Sequence, residues 1–256
     1  MIKERKFSVK MTTLEPFRIG GKPDPLGPEN PVAVVGGKVV VPGSSLKGAF
    51  RNALERYLID RYYDQQAGKW DQAARAMQPC MAGTRLSKDE KELVKRDLYR
   101  SSSCHYPCVP RRNRCGDTRH SICPVCYLLG AQGLVGFVRV PFLASEISTN
   151  ELYSARMDRA MGTVSEGTNR PYELVPDQAT FTGTLYLMTS DDVLDWQLGR
   201  ARSLKDLTGG DEWLAGWTAD KIVDELIVGV LESVSILGGY KSKGFGKVSI
   251  GVTETN

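Results

Sequence analysis

Gly238-Gly239-Tyr240-Lys241-Ser242-Lys243-Gly244-Phe245-Gly246-Lys247-Val248 joins a helical pattern to a strand pattern near the C-terminus. These eleven residues hold four glycines, three lysines, two aromatics and no acid. Glycine admits positive φ and lets another stretch of backbone come close. Bared backbone N–H groups beside lysine make a cradle for an anion. Tyr240 and Phe245 can stack on bases or plug the loop from beneath. An ordinary Gly-rich connection is the plainer alternative. The coincidence of glycine, charge and aromatics in so short a stretch argues against it.

Upstream, Ile222, Val223, Leu226, Val230, Leu231, Val234 and Leu237 recur on one face, which predicts a helix over 220–237. Downstream, a strand is expected over 246–252. At the other end of the chain Phe7, Val9, Met11 and Thr13 alternate with Ser8, Lys10, Thr12 and Leu14, a half-buried strand over 5–14. A helix over 44–63 follows, with Leu46, Phe50, Ala53, Leu54, Tyr57 and Leu58 at spacings of three and four. Ser44 or Ser45 can cap its start. Strands are expected over 133–143 and 180–189, the latter alternating Phe181, Gly183, Leu185 and Leu187 against threonines and Tyr186. The order βαββαβ is the ferredoxin-like pattern of an α+β fold. Two insertions remain, 64–132 and 144–179, within a single domain. The first of them begins with a charged segment, 64–99, read as a solvated helical hairpin or a mobile stretch. Residues 190–218, with Trp196, Trp213 and Trp217, read as a packed surface loop.

At 256 residues and 41% hydrophobic, the chain can bury a sizeable core. A net charge of +4 does not by itself demand a nucleic acid, so its distribution matters more than its sum. No apolar run approaches the length of a membrane span, and no apolar signal core follows Met1-Ile2-Lys3-Glu4-Arg5-Lys6. A cytoplasmic protein is therefore expected, with no membrane partner. There, six cysteines favour metal over disulfides.

Two positions near the first helix add to the anion chemistry. Ser44, Ser45, Lys47 and Arg51 gather at its N-terminus behind Gly43, a place where a phosphate can bind. The order of a nucleotide P-loop is absent. Before it, four prolines between residues 18 and 31 mark an exposed loop. Asp24 and Glu29 are its carboxylates, and from spacing alone both read as solvated loop acids.

Cys104, Cys108, Cys115, Cys123 and Cys126, with His105, fall within 23 residues. Cys123-Pro124-Val125-Cys126 is a zinc-ligand knuckle, since this spacing lets two thiolates grip one ion. Cys115 is the expected third ligand, and Cys108, His105 or Cys104 the fourth; Cys80 reads as a bystander thiol. Free buried cysteines and a redox pair are the alternatives, and the additional ligands weigh against both. A site closed by four protein ligands leaves no open position, so the zinc is expected to be structural. Arg111, Arg112, Arg114 and Arg119 surround the cysteines, as phosphate contacts or as a solvated basic face.

The stretches PGSSLKGAFRNALE (42–55) and LGGYKSKGFGKVSI (237–250) together resemble the RAMP superfamily. More narrowly, they resemble the backbone subunit of type III CRISPR effector complexes, in its zinc-finger-containing variety. Ile19-Gly20-Gly21 and Glu29-Asn30-Pro31-Val32 match as well. The resemblance implies a ferredoxin-like core related to the RNA-recognition motif. It also implies copies lined up along a guide RNA that pairs with target RNA, beside related RAMP subunits, a large polymerase-like subunit and small subunits. Arg18, Gly20, Gly21, Ser44, Ser45, Lys47, Arg51, Tyr240, Lys241, Lys243 and Phe245 would contact RNA. A projecting hairpin, the thumb, would carry Arg156-Met157-Asp158-Arg159 and flip a base at regular intervals. Arg156, Arg159 and Arg170 would track the backbone. Met157 or Met161 would act as a wedge or, alternatively, pin the hairpin to the core.

In cleaving members of that family, an aspartate in the loop after the first strand cuts target RNA with Mg or Mn. A nearby ribose 2′-hydroxyl attacks the phosphate. Here Glu29 stands at that place, one methylene longer, with Asp24 five residues earlier. The resemblance thus leaves a cleaving and a non-cleaving subunit both open. A guide-processing endonuclease of the same superfamily would want a histidine base. Only His105 and His120 exist, and His105 lies among the cysteines. A zinc-ribbon RNA-binding module without a CRISPR role is the remaining alternative.

Overall fold

The computed structural model describes residues 1–22, 30–81, 86–100, 103–104, 122–202 and 212–255. The chain begins with β1 (Ile2–Thr13), β2 (Val34–Val35) and β3 (Lys38–Val41), then the long helix α1 (Gly43–Tyr62). A small hairpin follows, β4 (Tyr63–Asp64) and β5 (Lys69–Trp70), then the short helices α2 (Lys88–Lys95) and α3 (Pro124–Leu129). Next come β6 (Val138–Arg139), β7 (Leu143–Ser145), β8 (Asn150–Ser154), β9 (Arg170–Leu174), β10 (Thr180–Asp191) and β11 (Trp196–Gln197). The final helix α4 runs from an α turn, Ala219–Lys221, through a π segment, Ile222–Val228, to an α turn, Gly229–Glu232. β12 (Val248–Thr255) closes the chain.

One antiparallel sheet organises these elements, in the order β12-β1-β10-β7-β3-β2. The last strand thus lies beside the first, and the first beside β10, which is the ferredoxin-like order. The expected alternation fixes which face is buried. Phe7, Val9, Met11 and Thr13 on β1 and Phe181, Leu185 and Leu187 on β10 all point into the core. Leu46, Phe50, Leu54 and Leu58 of α1 and Ile222, Val223, Leu226, Val230 and Leu231 of α4 cover that face. Burying each such side chain is worth about 1.5–3 kcal/mol relative to exposure, so this layer holds the sheet and helices together.

Four expectations shift. The strand expected over 133–143 is two pieces, β6 and β7, separated by Val140-Pro141-Phe142. Proline has no N–H for the ladder, and the gap brings the Phe142 carbonyl where a Cβ on Gly183 would lie 2.4 Å away. The helix expected to reach 237 stops at Glu232. Beyond it, Ile236 bridges Lys247 and Leu237 N–H donates to Gly246 O at 2.8 Å, so backbone pairing replaces the last helical turn. Neither Ser44 nor Ser45 caps α1: the N-cap is Pro42, without a side-chain bond, and both serines sit in the first turn. Lastly, the described residues of 64–99 are less solvated than expected: they hold the β4–β5 hairpin, a 3-10 turn Gln72–Met77 and α2, and part of the segment is buried. Trp70, Met77 and Cys80 are buried, and the Asp97 carbonyl accepts from Trp70 Nε1 at 2.6 Å and Gln78 Nε2 at 2.9 Å.

The three tryptophans of 190–218 are buried as expected, Trp213 donating from Nε1 to Ile122 O at 3.1 Å. Among the described residues no helix is long and apolar enough to cross a membrane.

Candidate functional site

The Gly-rich stretch closes on the exit of β1. Gly239 N–H donates to Arg18 O at 2.8 Å, Gly246 N–H to Pro16 O at 3.0 Å, and Leu14 N–H to Lys247 O at 2.8 Å. Only glycine fits two of these positions. Gly238 has φ +91° and a Cβ there would lie 2.5 Å from Arg18 O; Gly246 has φ +92° and its Cβ would lie 2.3 Å from Leu237 O. Within the loop, Tyr240 takes the left-handed conformation and Lys241–Lys243 form a single tight turn. Phe245 is buried beneath, against Tyr172. Tyr240 is half-buried on Tyr172, with the Arg18 guanidinium 5.2 Å and the Lys243 ammonium 4.7 Å from its ring centroid. Arg18 also donates to Pro31 O at 3.4 Å. These contacts brace the loop from below, while Lys241 and Lys243 remain exposed above.

A cleft of about 1030 Å³ lies between this loop and α1. Gly20, Ser45 and Lys241 line it, as do five polar residues that sequence reasoning missed: Asn52, Arg56, Asp60, Ser233 and Ser235. Ser45, Ala49, Asn52 and Arg56 recur at helical spacing, so one stripe of α1 forms the wall. The expected residues Ser44, Lys47 and Arg51 are not among those that line it. Lys47 is exposed on a neighbouring stripe. Arg51 turns inward, donating to Gly130 O at 3.0 Å and pairing with Glu55 at 3.5 Å. A helical wheel would have separated these stripes.

Gly20 bridges Val32, and Gly21 N–H donates to Pro31 O at 2.9 Å. A Cβ on Gly21 would lie 2.3 Å from Val32 O, so this glycine permits the loop to close on itself. Glu173 on β9 holds the far side, accepting from Val32 N–H at 2.9 Å while its own N–H donates to Asn30 O at 3.0 Å. Asp24 and Glu29, between these anchors, lie outside the described residues.

β8 and β9 form a separate two-stranded hairpin, extended by a Met157–Val164 bridge. At its tip, Asp158 accepts from Ala160 N–H at 2.8 Å and Met161 N–H at 3.0 Å. Those bonds hold its carboxyl below the usual carboxylate range. Arg156 and Arg159 are exposed. Met157 is 56% and Met161 76% exposed, so neither pins the hairpin to the core.

Four thiols meet on the other side of α1. The Sγ atoms of Cys80, Cys104, Cys123 and Cys126 all lie within 4.8 Å of one another. Tetrahedral zinc with bonds of about 2.3 Å separates its sulfurs by roughly 3.8 Å, which fits this set. Backbone N–H groups point at the sulfurs, Cys104 N to Cys80 at 3.5 Å, Cys123 N to Cys104 at 3.4 Å and Cys126 N to Cys123 at 3.5 Å. Both terminal nitrogens of Arg51 reach Cys126 Sγ at 3.9 Å. Donors of this kind favour thiolate over thiol and orient metal ligands. Burial works to raise the Cys123 thiol, yet hydrogen bonds from Cys104, Cys126 and Cys80 outweigh it and hold it well below an ordinary thiol. The Cys104 thiol, donating to Cys123, is pushed well above. Burial lifts the Glu55 carboxyl to about 7, against the pull of Arg51.

Cys123 and Cys126 thus sit in the cluster as expected, and Cys104 is the alternative that the structure brings in. Cys80 is no bystander. Its 24-residue separation from Cys104 hid it, but a bridge from Cys80 to Arg100 and the bond Arg100 N–H to Pro79 O (2.9 Å) bring the segments together. Cys108, Cys115 and His105 lie outside the described residues. The four thiols could hold a metal such as zinc and fit a zinc-binding insertion.

A ferredoxin-like antiparallel sheet with a Gly-rich turn locked onto the exit of its first strand is consistent with a core like that of the RNA-recognition motif. The chain belongs to the RAMP superfamily, whose family model matches residues 10–249. Membership places it among CRISPR-associated RNA-binding proteins. No curated protein matches the sequence.

Proposed function

We propose that the chain is the guide-RNA-holding backbone subunit of a type III CRISPR effector complex. It would be a single RAMP domain with insertions over 64–132 and 144–179, working in the cytoplasm. The observation that carries this reading is the cleft itself, walled by one stripe of α1 and by the Gly-rich loop with Lys241. A projecting hairpin with exposed Arg156, Met157, Arg159 and Met161 supports it. In the cleft, Ser45, Asn52, Ser233 and Ser235 offer hydrogen bonds to phosphate and sugar, Arg56 and Lys241 offer positive charge that outnumbers the one carboxylate, Asp60, and none of these reads sequence. At the hairpin, Met157 and Met161 are wedges and the arginines contact the backbone. Repeated copies would follow one guide RNA, alongside related RAMP subunits, the large polymerase-like subunit and small subunits, with target RNA pairing to the guide.

Lys241→Ala and Arg56→Ala test the cleft. Each is expected to weaken RNA binding uniformly across sequences and to lower the slope of log K against log salt by about 0.7, the value for one phosphate of a single strand left unneutralised. An unaltered slope in both variants would exclude the cleft as the RNA-binding surface.

The cysteine cluster would hold one structural zinc. Four thiolates fill a tetrahedral site, so the ion would supply folding energy and no chemistry. Cleavage of target RNA would fall to the loop carrying Asp24 and Glu29, with Mg or Mn held by carboxylate. Labelled target RNA, the assembled complex, and separate Asp24→Ala and Glu29→Ala variants decide this. A drop in cutting of about a hundredfold or more in one variant assigns the carboxylate. Cutting that persists in both, or is absent from the unmodified complex, makes the subunit a non-cleaving holder.

A further inference from the structure

The cleft wall continues past Arg56. Tyr57, its last aromatic residue on α1, lies 5.8 Å by ring centroid from the guanidinium carbon of Arg61. The same carbon lies 5.8 Å from the ring centroid of Tyr62. Arg61 donates to the Tyr57 hydroxyl at 3.1 Å. Glu225 of α4 accepts from that hydroxyl at 3.2 Å and pairs with Arg61 at 3.7 Å. The guanidinium is therefore held beside two rings while its side chain stays about half exposed to solvent, at 51%. On its far side Arg61 and Tyr62 form a wall of a second depression of about 420 Å³, completed by Lys69 and the β4–β5 hairpin.

Charge alone does not explain this surface. Asp64 and Asp71 also line the depression and offset Arg61 and Lys69, so it is a poor phosphate site. Their carboxylates are taken up locally, Asp64 by the N–H groups of Gln66 and Ala67 and Asp71 by that of Ala73. What remains is the half-buried ring of Tyr62 with the Arg61 guanidinium beside it, since Tyr63 and Trp70 are buried. That combination binds the face of a nucleobase, whatever its identity, through stacking and cation–π attraction.

We propose that Tyr62, with Arg61, is a stacking platform for an unpaired base of the RNA strand where it leaves the cleft. The inference rests on the RNA-binding reading of the cleft and adds a site beyond it. The platform holds bases while the cleft holds phosphates, so the two respond to different probes.

The test uses the full chain and two fluorescent probes of equal length, a uridine oligonucleotide and its abasic ribose-phosphate counterpart. Tyr62→Ala is expected to weaken the uridine probe about tenfold, within the range for removing one base stack, and to leave the abasic probe unchanged. Tyr62→Phe keeps the uridine affinity. Arg61→Ala, at an exposed position, is expected to weaken it several-fold, which guards against a folding defect in the Tyr62→Ala variant. Wild-type affinity in both Tyr62→Ala and Arg61→Ala overturns the platform and leaves the cleft standing. So does an equal weakening on both probes, which would indicate general distortion. A wild-type chain that binds neither probe overturns the RNA-binding reading, and the platform with it.

Discussion

Cys80→Ser is expected to strip the metal from the protein and to lower its stability by about 4 kcal/mol or more, a shift of roughly 10 °C in Tm for a chain of this size. Cys80, Cys123 and Cys126 lie inside the main hydrophobic core, so the metal would tie the 80–104 segment to α3 and both to α1. Removing one of four ligands opens the shell and leaves three buried sulfurs competing for protons. A thiol packed there without a metal would cost far less to replace. Metal content and thermal unfolding, measured on wild type, Cys80→Ser and Cys115→Ser, separate the ligand sets. The four clustered sulfurs predict one zinc per chain in wild type, its absence in Cys80→Ser, and retention in Cys115→Ser. A chelator should then lower the wild-type Tm to near that of Cys80→Ser. Full zinc in Cys80→Ser, with an essentially wild-type Tm, would contradict the assignment.

Gly238→Ala is expected to unlock the Gly-rich loop from the exit of β1. The new methyl would meet Arg18 O at 2.5 Å, at a backbone angle of +91° that alanine rarely adopts. Neither the carbonyl nor the angle can relax cheaply, because Gly239 N–H bonds the same Arg18 oxygen. The two effects together should cost about 2–4 kcal/mol and weaken RNA binding at least tenfold. Gly244→Ala is the matched control. It also has positive φ, +78°, but open space around the Cβ, so it should cost only about 1 kcal/mol. Equal melting temperatures and equal RNA affinity for the two variants would show that the loop's lock on the first strand is unimportant.

Much of the core was legible from periodicity. The alternation in β1 and β10 and the apolar faces of α1 and α4 are properties of neighbouring residues, and burial follows them except at Ala53 and Tyr57, which line the cleft, and at Gly183. Residues 233–237 were less legible. Val234 and Leu237 are apolar and buried whether helical or extended, and pairing with Gly246 and Val248, which no local periodicity reveals, ends the helix. The break at Pro141 was written in the sequence, since proline interrupts a ladder.

The site divides in the same way. Lys241 and Ser45, singled out as an exposed lysine beside glycines and a serine at a helix start, both line the cleft. Arg51 was singled out because charge near a helix N-terminus suggests phosphate, while its position on the wheel sends it to Cys126 and Gly130. Asn52 and Arg56 follow Ser45 at helical spacing on one stripe of α1, whereas Ser233 and Ser235 enter the cleft only through tertiary packing. Cys80 stood far from the other cysteines, and the short apolar run around it, with Ala76, the buried Met77 and Met81, was the only hint that the segment docks. A ligand contributed from another part of the chain leaves no spacing to read.

Photo-crosslinking tests most directly whether RNA runs through the cleft. RNA carrying thiouridine is bound to the full chain, irradiated, and the attached peptides are mapped by mass spectrometry. Crosslinks are expected on α1 between Ser45 and Arg56, on the 233–241 segment, and on the hairpin tip around Met157 and Met161. Attachment confined to the faces away from α1 and the Gly-rich loop, or none at low salt, would contradict an RNA path between them.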